Sequence, residues 1–597
     1  MRATPAFLGI LSKQSTRRVL GSASSGIAFL LLAACSGSSP PAIPPEVTSA
    51  DGSGALSIAA RSFNGVATST AGLTGVKLEA QKQITQDDAA RFLTQATFGI
   101  TNIEEIQTLR SFGLDAWLNA QSELKSASLV DYINQQGSRN ENGKPTDEMA
   151  YEALWQQWLY SPAQLRARVA FALSQIFVIS NVAPDLHPLA MTSYMDMLSS
   201  NAFGSYRKLL EDVSLHPAMG YYLNMIESEK EDLDKGTHPN ENFAREVLQL
   251  FSIGLVKLNI DGTPMLDEQK KPIPTYDQAV VQGFARAFSG WSFGGRDTSK
   301  NDAFQNGEET WTIPMQPWAS KHSTASKTLL DGKTLSPGQT PQKDMTDALD
   351  IIAAHPNIGP FIARRLIQRL TTSNPSPAYI ARVATVFNND GNNGRGNLKA
   401  VVRAILLDDE ARAPLATQVT HFGKQREPVI RFANLLRVTN AMADDGTNRI
   451  HYLDSADNAL GQSPLLAPSV FNFYSPDFKS PGTIAAAGLN APEFQITTET
   501  TIVGALNFMS EVIQNGSYGW QDVGKIRLDY KKFDDVAGDA SQLIDRVNAL
   551  LMNYSMRAET RTSLMRVING IDPKNKIERT KAALTIALVA PEFAIQR

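Results

Sequence analysis

From residue 84 onward, apolar positions recur every three or four residues, the spacing that lines one face of an α-helix. "ITQDDAARFLTQATFGITNIEEIQTLRSFGLDAWLNAQ" opens the pattern: Thr85 followed by Asp88 reads as a capping start, and Phe92, Leu93 and Ala96 follow at helical intervals. The aromatic-rich "EMAYEALWQQWLYS" stops near Pro162, and "PAQLRARVAFALSQIFVIS" begins with proline, as first helical turns often do. "TDALDIIAAH", "PFIARRLIQRL", "PAYIARVATVF", "NLKAVVRAILLDDEAR", "EPVIRFANLLRVTNAM" and "RTKAALTIALVAPEFA" continue the period, with Pro and Gly mostly between them. Two stretches break it. "VKLNIDGTPML" places Asp261-Gly262 between short alternating runs, a hairpin signal. The Gly- and Trp-dotted run from Trp291 to Gly332 reads as a long functional or partly ordered loop. No fixed-period repeat is present. The expectation is a mainly α protein: one large multi-helix domain over 84–597 with a small β-hairpin and long irregular loops.

Ahead of that domain the pattern changes. Residues 35–83 are rich in Ser, Gly, Pro and Ala and read as a flexible linker. Residues 1–34 combine Arg2, Lys13, Arg17 and Arg18 with an apolar run from Gly26 to Ala34 that is too short to span a bilayer, the layout of a signal peptide. Leu32-Ala33-Ala34-Cys35 resembles a bacterial lipobox, which implies cleavage before Cys35 and lipidation there; the plainer alternative is a soluble signal peptide with a chance cysteine. Thr16-Arg17-Arg18-Val19-Leu20 resembles a twin-arginine export signal, although the usual Phe and Lys after the pair are absent. The expected location is the cell envelope, on the outer membrane through a lipid at Cys35.

Composition narrows the chemistry. The 597 residues are 42% hydrophobic and 19% charged with a net charge of −4, without the basic excess of a nucleic-acid binder. A single cysteine excludes intramolecular disulfides and Cys-rich metal centres, and seven histidines leave few metal ligands.

The segment "HPNENFAREVLQLFSIGL", His238 to Leu255, concentrates the most polar chemistry. At about 100° per residue from Glu241, residues Asn242, Arg245, Glu246, Gln249 and Ser252 share an arc of about 140°, with apolar residues on the other side. Glu241 and Arg245 are placed for an i,i+4 ion pair, so an ordinary wet helix face explains every residue type. A second helix is expected from a Thr275/Gln278 capping box through Arg286, followed by a loop with His322 and Lys327. If the hairpin folds back, a cleft would hold Glu241 and Glu246 as acid or base and Arg245 and Arg286 as anion clamps. His238 or His322 would then be a metal ligand or proton carrier. Four histidines, His187, His216, His238 and His355, precede proline, which reads as helix-start punctuation. "FNNDGNNGRGNLKA" resembles half a calcium loop, but Lys399 stands where the closing acid would be; a solvated turn leading to an Asn397 cap fits better. "VFNFYSPDF" could stack on a sugar or serve as a core anchor.

"AARFLTQATFGIT", "HPNENFAREVLQLFSIGL", "ARAFSGW", "HPNIGPFIARRLIQRL" and "LGQSPLLAPSVFNFYSPD", in that order, resemble the bacterial family called domain of unknown function 1800. The resemblance runs from about Thr85 to the C-terminus. It implies an exported, mainly helical protein with no agreed activity or cofactor, often encoded beside an exported protein resembling sulfatases and alkaline phosphatases. Relatives often carry a Trp and a His where this chain has Leu173, Ser174 and Gln175, and an Asp where it has Ser323, so roles tied to those residues do not carry over. Two functions remain: a non-catalytic lipoprotein that docks or assists a hydrolase-like partner, or a hydrolase of anionic or carbohydrate polymers using the polar cleft.

Overall fold

Among the described residues, twenty-five α-helices make up the bulk of the regular structure, joined to four antiparallel sheets whose strands are each two residues long. These come from a computed structural model that describes residues 84–597 apart from 138–142, 184, 393 and 520–523. The expected signal peptide, Cys35 and linker lie outside the described residues. The mainly α expectation is met. Among the described residues no helix is long and apolar enough to cross a membrane.

The centre is built from helices that bury nearly every face. In Asp147–Tyr160, ten of fourteen residues are buried, and Trp158 stacks on Phe98 at 4.7 Å between ring centres. A helix apolar on all sides belongs in a core, which is why this segment shows little amphipathic signal. All eleven residues of Pro428–Val438 are buried, charged ones included. Arg437 makes this tolerable by donating to the carbonyls of Gly99 at 2.9 Å and Leu159 at 2.7 Å. One continuous apolar cluster extends from Ala89 to Phe593. The chain's end returns to the middle, where Ile595–Gln596 pairs antiparallel with Lys424–Gln425.

The local signals hold at most helix starts. Thr85 accepts from the Asp88 N–H at 3.3 Å, and Asn397 caps Leu398–Leu407 at the end of the solvated Asp390 turn. His187 and His216 each accept, through Nδ1, from the N–H two residues on, at 3.2 Å, and cap the helices that follow. His355 makes the same contact at 3.1 Å but closes Pro341–Ala354, and the next helix starts only at Ile358, so the helix-start expectation is corrected there. His238 differs: it is exposed, and its helix starts only at Asn242. Two other expectations are corrected. Pro162 precedes the Gln164–Ser174 helix rather than starting it, and that helix stops before Phe177. The Thr275/Gln278 box does not form: Asp277 caps Gln278–Ala287, while the Thr275 hydroxyl bonds the Gly254 carbonyl.

The Asp261-Gly262 hairpin is present and extends into a three-segment meander. Val256 is bridged to Pro274, Leu258 to Pro264 and Leu266 to Pro272. Pro264, Pro272 and Pro274 lack an N–H, so the pairing cannot grow into a longer ladder. The Trp291–Gly332 run is packed, not loose. Trp291–Ser292 pairs with Gln316–Pro317, and Phe304, Trp318 and Leu329 are buried.

Candidate functional site

The Asn242–Gln249 helix is amphipathic as expected but shorter, with Leu250 as its C-cap. Beyond that point the angular reading fails. Ser252 is fully buried, its hydroxyl donating to the Val247 carbonyl at 2.5 Å, so it leaves the polar arc. Phe243 packs edge-on against Phe288 at 5.3 Å, which brings the Gln278–Ala287 helix alongside. Their N-terminal ends join through side chains. Arg245 pairs with Glu241 at 2.9 Å, and the Gln278 amide bonds both, donating to Glu241 at 2.7 Å and accepting from Arg245 at 3.2 Å. Glu241 and Arg245 remain 30% and 39% exposed, so the pair is a solvated surface contact of roughly 0.2–1 kcal/mol.

Glu246, one turn further on, is different. It is half-buried, and one carboxylate oxygen lacks a hydrogen-bond partner. Burial raises its pKa against the opposing charge of Arg245. Tyr222 and Tyr276 are each pushed up to about 12, mainly by burial and further by the Glu246 charge; the Tyr276 hydroxyl is also unpartnered. Neither tyrosine was singled out in the sequence, because they come from a different helix and from a loop. Arg286 is half-buried near the other end of its helix, about 12 Å of helix rise beyond Gln278. It has no side-chain hydrogen bond or ion pair among the described residues.

His322 lies against Ser289, just past the C-terminal end of that second helix, and is 1% exposed. Its Nδ1 faces the Ser289 carbonyl at 2.8 Å, an acceptor only, so that nitrogen carries hydrogen. Its Nε2 meets Asp344 Oδ2 at 2.8 Å. Lys327, fully buried, fills its three donor directions with Asp344 at 2.7 Å, the Ser323 carbonyl at 2.7 Å and the Ala325 carbonyl at 2.8 Å. Gly283 lets this network approach, since a side chain there would meet the Thr328 carbonyl oxygen at 2.0 Å. The carboxylate partner that Ser323 could not supply is thus Asp344, from the Pro341–Ala354 helix. His322 and exposed His238 are not brought together: among the described residues, no three His, Cys, Asp or Glu side chains group as metal ligands.

A cavity of about 320 Å³ opens at the C-terminal end of the Asn242–Gln249 helix. Its walls are Gln249–Leu258, the Ile358–Leu370 helix and Val470–Asp477, with Gln175 at one edge. "VFNFYSPDF" therefore provides part of its wall, with Phe471 half-exposed. Arg364, Arg365 and Arg369 line it beside a single carboxylate, Asp477. Gln175 donates to Glu427 at 2.5 Å.

The model of the family described as Protein of unknown function (DUF1800) matches residues 91–595. No curated protein and no solved structure matches the chain.

Proposed function

Since the chain belongs to the DUF1800 family of proteins of unknown function, we propose that it acts by binding rather than by turnover. It is an exported lipoprotein of the cell envelope, held on the outer membrane by acyl groups on Cys35. There it docks and assists an exported hydrolase-like partner, of the kind that resembles sulfatases and phosphatases. One observation supports this reading. On the meander beside the polar arc, Leu255, Ile260, Met265 and Leu266 are 56%, 44%, 41% and 54% exposed, apolar surface that the chain itself leaves open. The test places a photo-crosslinking residue at Met265 in the full chain, in intact cells. A crosslink to an exported hydrolase-like protein is expected, lost in a Leu266→Asp variant. Absence of any such crosslink, or its persistence in that variant, overturns the docking reading.

Glu246 favours a second reading, a hydrolase of anionic or carbohydrate polymers. A half-buried carboxyl with a raised pKa and a free oxygen is suited to general-acid work. Turnover by the purified chain that is abolished by Glu246→Gln and spared by Glu241→Gln and Arg245→Ala would establish it. Loss of turnover in the Glu241 and Arg245 variants, with folding intact, would move the chemistry to the helix N-terminus.

A further inference from the structure

We infer that the arginine-lined cavity is a binding site for a tetrahedral oxyanion ester, a phosphate or sulfate group carried on an apolar body. This does not depend on the docking reading. Arg364, Arg365 and Arg369 lie on one helix and grade inward: the first two side chains are 33% and 19% exposed, and Arg369 is 2% exposed. The mouth already holds an anion. Asp477, 53% exposed, pairs with Arg364 at 2.9 Å and Arg365 at 3.6 Å. The interior holds none. Arg369 stacks over the Tyr474 ring at 4.8 Å, and its guanidinium has no hydrogen-bond or ion-pair partner among the described residues. One terminal nitrogen of Arg365 is likewise buried without a partner, and burial pushes that guanidinium down to about 10.

The neighbouring carboxylates are committed elsewhere. Glu493 pairs with Lys424 at 2.8 Å, and Glu427 accepts from the amides of Gln175 and Gln462. In the cavity lining, three guanidinium groups against one carboxylate leave an excess of two positive charges, which a phosphate monoester dianion would match in full and a sulfate ester monoanion by half. Guanidinium forks suit tetrahedral oxyanions because two parallel N–H groups meet two oxygens. The volume is that of a small-molecule site. Leu250, Ile253 and Phe361 supply an apolar wall, so the body attached to the anion has a surface to pack against.

The test is calorimetric titration of the full chain with phenyl phosphate, phenyl sulfate, inorganic phosphate and benzyl alcohol. Saturable one-to-one binding of at least one phenyl ester is expected, tighter than inorganic phosphate, and none of benzyl alcohol. The stronger ester identifies which oxyanion the site prefers. Arg369→Gln should weaken binding tenfold or more. If that variant fails to fold, Arg364→Gln, at the mouth, should weaken it several-fold. Asp477→Asn should strengthen binding several-fold, because it removes the carboxylate that competes for the outer arginines. No saturable binding, equal binding of benzyl alcohol, or an Asp477→Asn variant that binds more weakly overturns the proposal.

Discussion

Lowering the pH from 8 to 5 should cost the protein about 2 kcal/mol through His216 alone. His216 is 8% exposed, caps the Pro217–Tyr222 helix by accepting from the Ala218 N–H at 3.2 Å, and lies edge-on to Tyr194 at 5.1 Å. Burial lowers its pKa from 6.5 to about 4, against the opposing pull of a hydrogen bond to the Ser193 backbone and the charge of Asp212. Between those values the unfolded chain binds a proton that the folded chain refuses. The stabilisation is therefore complete above 6.5, falls away as the pH drops, and levels off below about 4 at a total loss of roughly 3 kcal/mol. The assay is denaturant unfolding of the wild-type chain and of His216→Asn, which keeps a capping acceptor but does not titrate. His187 and His355, also lowered by burial, are present in both chains and cancel. The wild type should be the more stable at pH 8, with the gap narrowing by about 2 kcal/mol at pH 5. A gap that stays constant from pH 8 to pH 5 would show that His216 titrates normally and refute the burial argument.

Gly283→Ala should destabilise by at least the ~1–3 kcal/mol typical of overpacking, because the new methyl would overlap a backbone carbonyl that cannot rotate away. An unchanged denaturation midpoint would show that the helix does not pack that closely on the Lys327–Thr328 strand. Asp344→Asn leaves the fully buried Lys327 ammonium without its counter-charge and should cost about 3–5 kcal/mol. The double variant Asp344→Leu/Lys327→Met should recover much of that loss, read as thermal midpoint. A stable single variant would mean that the buried charges are not both present.

The helices were legible wherever one face is wet and the ends carry local punctuation, as at Thr85, Asn397 and two of the four His-Pro pairs. Legibility failed where tertiary contacts replaced local rules. Ser252 continues the polar spacing by angle, but the helix ends at Gln249 and the turn carries that hydroxyl inward. Thr275 and Gln278 have the right spacing for a box, yet both side chains are taken by partners more than twenty residues away, Gly254 and Glu241. The Trp291–Gly332 run looked loose because its order comes from Trp318, Phe304 and the His322 network, none of which has a periodic signature.

The same contrast separates the Asn242 helix from the arginine cavity. Its polar residues lie close together in sequence, yet in space Glu241, Arg245 and Gln278 satisfy one another at the surface, while Glu246 keeps an unpartnered carboxylate oxygen. The arginine cavity is assembled from Gln175, residues 249–258, the Ile358–Leu370 helix and residues 470–477, a constellation that no spacing rule joins. One signal was present. In "PFIARRLIQRL", Arg365 and Arg369 are like charges four apart, an arrangement that costs an isolated helix a few tenths of a kcal/mol. No acidic residue within the helix relieves it, and burial of Arg369 adds to the cost. Such a local conflict persists where something outside the helix rewards it, and Asp477 answers only the outer two guanidinium groups. The remaining demand, at Arg369, is the part of the structure that a bound anion would satisfy.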